Sequence, residues 1–397
     1  VEGLTIENAH KIIQKTIQRL PAQNIALIEA SGRIVAESIK AVNNLPAENQ
    51  SAVDGYALGD ESLIAGRRFK VSGYLKLGDH TGEVIKNGQA VGVLTGGVLP
   101  PGTKAVVPHE KVLYDGVDIM LLEEMQPGAN IKQAGEDFCQ GEELASAGNR
   151  ITPGLIGLFA AFGFSGVEVY RPVRVAILAI GENVVDFVKT PGPGQTRDSN
   201  GPMLTVLIKR IGGAIVSKTT TGTQNERLPE IMFELSQEAD LILITGGTYL
   251  RNQSEARNIL EEAGASILYW GTHIQPGGHN GLAVYNSIPV FALSGHPAAC
   301  AVGFHIFAAP AIRYMQGLEF RLKRVQAKCT NSYSKTARQH RMVRGYAFPT
   351  NSGWKVTVLP GQKPGMLRSL INCNALIHMP PGYEGLEVDE LVSVILV

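Results

Sequence analysis

Three apolar runs in the middle of the chain, each ending in a glycine-containing turn, constrain its fold more than any other feature. They are VRVAILAIGEN (173–183), ADLILITGGT (239–248) and IPVFALSGHPAA (288–299). Continuous Val, Ile, Leu and Ala without polar alternation suits strands of a parallel sheet covered on both faces. Segments of helical period lie between and after them: MLTVLIKRIG (203–212), NERLPEIMFELSQEA (225–239), SEARNILEEAG (254–264) and AACAVGFHIFAAPAIRYM (298–315). Alternation of this kind predicts a βαβ series and a mostly parallel sheet. Such sheets bind ligands in the crevice at the carboxyl ends of their strands. A small-molecule site for an anionic ligand is therefore expected there.

The 397 residues exceed one ordinary core. The predicted class is a multi-domain α/β protein. Residues 46–141 read as an inserted all-β module, with short strands in FKVSGYL (69–75), AVGVLTGGVLPPGTKAVVP (90–108) and EKVLYDGVDIMLLE (110–123) cut by Gly, Pro and Asn turns. Residues 1–45 and 142–170 form a helical and mixed linker domain, 171–320 the βαβ domain and 321–397 a C-terminal β domain. A helix is predicted over 5–19 and a shorter one after the Ser31-Gly32 turn. Pro153 and Gly163 bracket another helix.

A net charge of zero argues against a nucleic-acid binder that works through a basic surface. No run is read as the roughly 18 apolar residues that span a bilayer, and the first residues lack a signal-peptide core, so a cytoplasmic protein is expected. Cys139, Cys300, Cys329 and Cys373 lie far apart, with no metal-ligand spacing, and read as free thiols.

Four motifs carry a family resemblance. SAVDGYAL (51–58), LTGGVLPPGTKAVVPHE (94–110), GANIKQAGEDFCQG (128–141) and GQTRDSN (194–200) resemble, in order and spacing, motifs of the MoeA family, to which the gephyrin E domain also belongs. The resemblance implies an elongated homodimer that converts adenylylated molybdopterin and molybdate, with Mg²⁺, into molybdenum cofactor and AMP. It implies a site between the βαβ domain of one subunit and the all-β module of the other. A phosphorylated pterin suits glycine-rich turns, helix N-termini and cations. Cleaving its phosphoanhydride suits a metal held by carboxylates.

On that resemblance Asp54, Asp137 and Glu182 are the candidate catalytic acids, and Glu182 and Asp198 the candidate metal ligands. Thr95, Gly246, Gly247, Arg251, Gln275, Ser294, Gly295, His296 and Pro297 are the candidate substrate contacts. Pro297, opening a helix, is expected to leave free amides aimed at the crevice. Plainer readings stand beside these. Asp54 is an Asp-Gly turn residue, Glu182 and the Asp198–Asn200 stretch cap helices, and His296 is a surface histidine.

The βαβ loops depart from the family where its charges lie. Its TGDEL stands here as IGENV (180–184), with Asn183 for an acid. Acids after its GGVSVG are replaced by Asn252 and Ser254 in GGTYLRNQS (246–254), and the lysines of its WKxxxKPGKP by Gly271, Gln275 and Gly278 in WGTHIQPGGHNG (270–281). LSGHPAA (293–299) and GQKPG (361–365) vary two further loops, and Arg341 and Arg344 lie near the position of a family arginine. One lost charge donor in such a site costs about 3–4 kcal/mol. Arg251, Arg197, His273, His279 and His296 are the compensating candidates. The residues thus suit an inserting transferase, a pterin- or nucleotide-binding scaffold that has lost the chemistry, or, third, a nucleotide pyrophosphatase.

Overall fold

The computed structural model describes residues 2–222, 226–248 and 254–397. Arg251 and Asn252 lie outside the described residues. The chain divides into two compact units, Val1–Ile25 with Gly32–Ala36 and Glu168–Val397, and Ala26–Ser31 with Glu37–Val167.

The larger unit is built on a seven-stranded sheet. Its order is Glu2–Leu4, Ser266–Thr272, Gly281–Tyr285, Ile288–Leu293, Leu241–Thr245, Arg174–Ile180 and Ala214–Thr221. The last four are mutually parallel, and the Gly281–Tyr285 strand runs antiparallel to both neighbours. The apolar runs are buried on both faces because helices cover both. Val175 and Ile177 face one side with helices Ile6–Thr16 and Asn200–Arg210 and the long helix Pro297–Met315. Ala176, Leu178 and Ile180 face the other, with helices Leu228–Glu238 and Glu255–Glu262.

Pro297–Met315 is also the one helix, among the described residues, long and apolar enough to cross a membrane, and 83% of its apolar stretch is buried inside the protein. The expectation that no segment reaches that length is corrected: the run is a core helix, apolar all round because it is enclosed.

The helix has an unusual middle. Residues Phe304–Ala308 form a π turn, and Pro310 follows. A proline has no N–H to offer the carbonyl four residues back, here that of Ile306. The His10 ring supplies a donor instead, Nε2 to the Ile306 oxygen at 2.8 Å. Since a carbonyl only accepts, Nε2 carries the proton. Phe307 and Phe320 hold the ring edge-on at 5.8 and 5.2 Å. The predicted 5–19 helix is shorter, Ile6–Thr16, with the Thr5 hydroxyl accepting from the Asn8 amide.

The C-terminal strands close into a barrel: His340–Thr350, Gly353–Val358, Arg324–Cys329, Leu391–Leu396, Ala375–Met379 and back to His340–Thr350. Closure leaves no free edge among the five. Ile274–Gln275, from the α/β part, adds to the barrel beside His340 and Arg341.

The smaller unit carries a six-stranded sheet, Ala105–Pro108, Gly55–Leu58, Gln89–Val93, Arg68–Tyr74, Asp118–Leu121 and Val112–Tyr114, antiparallel except where Arg68–Tyr74 meets Gln89–Val93. Tyr56, Leu58, Phe69, Val107, Ile119 and Leu121 fill its core. Helix Pro153–Ala161 starts at the predicted proline, with the Thr152 hydroxyl accepting from Leu155 N, and Gly163 follows it with φ +78°. The short helix predicted after Gly32 does not form; Ile34 and Val35 make bridges, Val35 to Val169, and the chain bends at 36–37 before the strand Ile39–Lys40. β-Branched residues there gain a strand partner, which outweighs a weak local helical preference.

Candidate functional site

The mouths of the parallel strands are tied together by polar side chains. Asn200 Nδ2 donates to Thr245 Oγ1 and to the Gly295 carbonyl, each at 2.9 Å. Thr245 Oγ1 donates to the Ser294 carbonyl at 3.1 Å, and Thr248 Oγ1 to that of Leu293 at 3.2 Å. The Asn200 Oδ1 oxygen is buried and accepts from nothing among the described residues.

Gly246 and Gly247 have φ of +100° and +60°. A Cβ on Gly246 would stand 2.0 Å from the Ile180 carbonyl oxygen, and one on Gly295 would stand 3.2 Å from Gly246 Cα. On the side a Cβ would occupy, these glycines meet protein. They are needed because neighbouring strand ends touch there.

The start of the long helix is not as expected. Pro297 has no N–H, and the Ala298 amide donates to the Pro364 carbonyl at 3.0 Å, while His296 N reaches Ser294 Oγ at 3.4 Å. A Cβ on Gly365 would meet the His296 ring at 3.3 Å. The 361–365 loop thus covers the amide that was expected to be free, and His296 is exposed beside it.

Asp198 is a buried cap. Its Oδ1 accepts from Gly201 N at 2.9 Å and its Oδ2 from Thr220 Oγ1 at 3.3 Å. Glu182 is exposed, and a Cβ on Gly222 would stand 3.0 Å from its Oε2. Thr220 and Gly222 point the same way, two residues apart, so both acids flank the end of one edge strand. No group of three His, Cys, Asp or Glu side chains suited to a metal occurs among the described residues. Magnesium, however, takes one or two carboxylates and fills its shell with substrate phosphates and water. Asp198, Glu182 and the unpartnered Asn200 Oδ1 fit that shared arrangement, not a protein-only cage.

Gln275 is not free. Its Oε1 accepts from Arg341 Nη2 at 2.8 Å. His279 is held by its own ring nitrogen, Nδ1 at 2.9 Å from the Thr248 carbonyl.

The residue that sequence reading placed least well is Arg344. It is 1% exposed and pairs with no carboxylate among the described residues. Nε donates to Ser369 Oγ at 3.1 Å, and the terminal nitrogens reach only the carbonyls of Met342, Gly361 and Lys363 at 3.4–3.5 Å. Burial draws the guanidinium down to about 10, so it is still a cation at neutral pH. It lines a cavity of about 120 Å³ with Met203, Leu207, His305, Cys373 and Leu376. Burial pushes His305 down to about 3, leaving Arg344 the one formal charge on that wall. A buried cation without an anion invites one.

In the smaller unit the structure brings Asp54 and Thr95 together. Asp54 Oδ1 accepts from Thr95 N at 2.7 Å and from Thr95 Oγ1 at 2.8 Å. The backbone hydrogen bond first, then the hydroxyl, lowers the carboxyl below its ordinary range. Asp137 lies on a separate turn, anchored by its own N–H to the Leu45 carbonyl at 3.0 Å, with its carboxylate exposed.

The fold is a mostly parallel α/β domain, helices on both faces, in a chain that also carries two β modules. Residues 4–163 match the family described as MoeA N-terminal region (domain I and II), 176–314 that described as Probable molybdopterin binding domain, and 326–397 that described as MoeA C-terminal region (domain IV). The chain belongs to the MoeA family. The molybdopterin molybdenumtransferase of Staphylococcus epidermidis is 28% identical over 401 residues, covering 99% of this chain and 95% of that protein. The protein of the same name from Staphylococcus aureus is 27% identical over 409 residues, covering 99% and 97%. The molybdopterin biosynthesis MoeA protein of Pyrococcus horikoshii OT3 superposes with a TM-score of 0.82 at 26% identity over all of both chains. A second Pyrococcus MoeA structure, 24% identical, shares the fold at a TM-score of 0.87 over 99% of each chain.

Proposed function

We propose that the chain inserts molybdate into adenylylated molybdopterin and releases AMP, as a step of molybdenum cofactor biosynthesis. The observation that carries this reading is its end-to-end similarity to proteins named molybdopterin molybdenumtransferase. Geometry supports it at the places where the sequence has lost family charges. Arg344, buried and without an acid, is the cation suited to an oxyanion the size of molybdate. Arg341, holding Gln275, stands where a lysine is missing. Glu182 and Asp198, with Asn200 Oδ1, would hold Mg²⁺, which when bound neutralises charge on the phosphoanhydride. The turns at Gly246, Gly247 and Ser294–Pro297 shape the crevice floor. Arg251 belongs to the same loop by sequence. Asp54, with its turn fixed by Thr95, and Asp137 supply acids from the all-β module.

The chain is read as a cytoplasmic homodimer in which each copy completes the other's site. Its parts are 1–45 with 142–170, 46–141, 171–320 and 321–397. The described cysteines are all free thiols, as a reducing compartment requires. The test is to mix the purified chain with adenylylated molybdopterin, molybdate and Mg²⁺ and follow AMP. Release that rises with molybdate supports insertion. Release indifferent to molybdate, or tight binding with none, overturns it.

A further inference from the structure

A cluster of rings stands at the same end of the small six-stranded sheet as the Asp54–Thr95 pair. Gly55 is paired with Val93 and with Pro108, so Asp54, Thr95 and His109 follow from one strand end. His109 N donates to the Asp54 carbonyl at 3.3 Å. The His109 ring meets Tyr56 edge-on at 4.9 Å. Tyr74 and Tyr114 lie 6.1 and 6.4 Å from Tyr56, centroid to centroid.

Each of the three phenols has a near partner. Tyr114 Oη donates to the Gly116 carbonyl at 2.9 Å. Tyr56 Oη lies 3.5 Å from Tyr74 Oη. Tyr56 is buried, but Tyr74 and Tyr114 are 58% and 47% exposed. A Cβ on Gly92 would stand 2.1 Å from Tyr74 Cδ1, so that ring rests on the bare backbone of the neighbouring strand. Large aromatic rings fixed from beneath and left open above cost the fold apolar exposure that a polar residue would avoid. They also form a stacking surface whose orientation is already set, so little order is lost when a ring lands on it.

We propose that Tyr74 and Tyr114 form a ledge that stacks a planar nitrogen heterobicycle of the substrate, positioning it beside Asp54. This rests on the function proposed above, whose substrate carries two such rings, a pterin and an adenine. Stacking on an aromatic side chain is tolerant of ring identity.

The test uses the full chain, with 6-hydroxymethylpterin and AMP as separate probes. Ring binding is followed by quenching of pterin fluorescence and by calorimetry for AMP, on wild type, Tyr74→Leu, Tyr114→Leu and the two Phe variants. Both side chains are largely exposed, and thermal melts check that each variant folds. Affinity for one probe falling about fivefold to 100-fold in the Leu variants and returning in the Phe variants supports the ledge. The affected probe says whether pterin or adenine lands there. Equal affinities in wild type and Leu variants, or no binding of either probe by wild type, overturn it. Tyrosine-dependent binding in a chain that shows no molybdate-dependent AMP release leaves the ledge standing and the insertion reading refuted. Unchanged KM in the Leu variants of an active chain does the reverse.

Discussion

Asp240 shows how one side chain can tie stability to pH. It is 8% exposed on its side chain and receives hydrogen bonds from Arg171, Arg174 and the Arg174 amide. Burial alone would raise its pKa, but the two guanidiniums outweigh burial and hold it at about 2. A carboxyl whose folded pKa lies below its unfolded value contributes stability at higher pH and loses it as pH falls through the folded pKa. The contribution is about 2 kcal/mol, complete above pH ~4 and gone below pH ~2. Urea melts at pH 7 and pH 3 check this, and Asp240→Asn is expected to flatten that part of the pH dependence. Gly246 makes a second residue-scale case. Gly246→Ala forces a Cβ against the Ile180 oxygen at a backbone angle that L residues avoid. A loss of about 3 kcal/mol or more is expected, read as a lowered Tm.

Among the elements, the Pro297–Met315 helix carries its own test. His10 donates to the carbonyl that Pro310 cannot serve. His10→Leu is expected to cost about 1–3 kcal/mol by stranding that oxygen. In a Pro310→Ala background the restored N–H competes for the same carbonyl, and the cost shrinks. A double-mutant cycle by chemical denaturation measures the coupling, and equal costs in both backgrounds contradict it. Pro310 was visible in the sequence, within a run of helical period, but nothing local showed that a histidine some 300 positions earlier would repair the helix. The apolar strand runs and their helices, in contrast, were legible, because burial on both faces leaves a compositional mark on the strand itself. The antiparallel pair around Gly281–Tyr285 was not, since its direction is set by pairing and not by composition.

For the whole molecule, the proposed homodimer makes a quantitative claim. Two inactive variants, Arg344→Met in the barrel and Asp54→Asn in the all-β module, damage different parts of one composite site. Co-refolded or co-expressed chains should form mixed dimers with one intact site, recovering about a quarter of wild-type AMP release. Sedimentation should report twice the 42.5 kDa of the chain. Monomer mass, or no recovery in dimers shown to be mixed, contradicts a site built from two copies. Arg344 marks the limit of sequence reading at this scale. By sequence it lay, with Arg341, near the position of a family arginine, and its identity as a buried cation depends on the barrel closing around it.

The chain's sequence alone determined its family and its βαβ centre, because those depend on apolar period and on short motifs whose residues lie close along the chain. Only the tertiary structure decided that the Pro364 carbonyl covers the start of the long helix, that Gly246 is filled by a neighbouring strand, that Arg344 is buried without an acid, and that the rings of Tyr56, Tyr74 and Tyr114 meet at one end of the small sheet. Each of those facts is a meeting of groups distant in sequence, and the energy that fixes it, close contact and desolvation, exists only once the distant parts have packed.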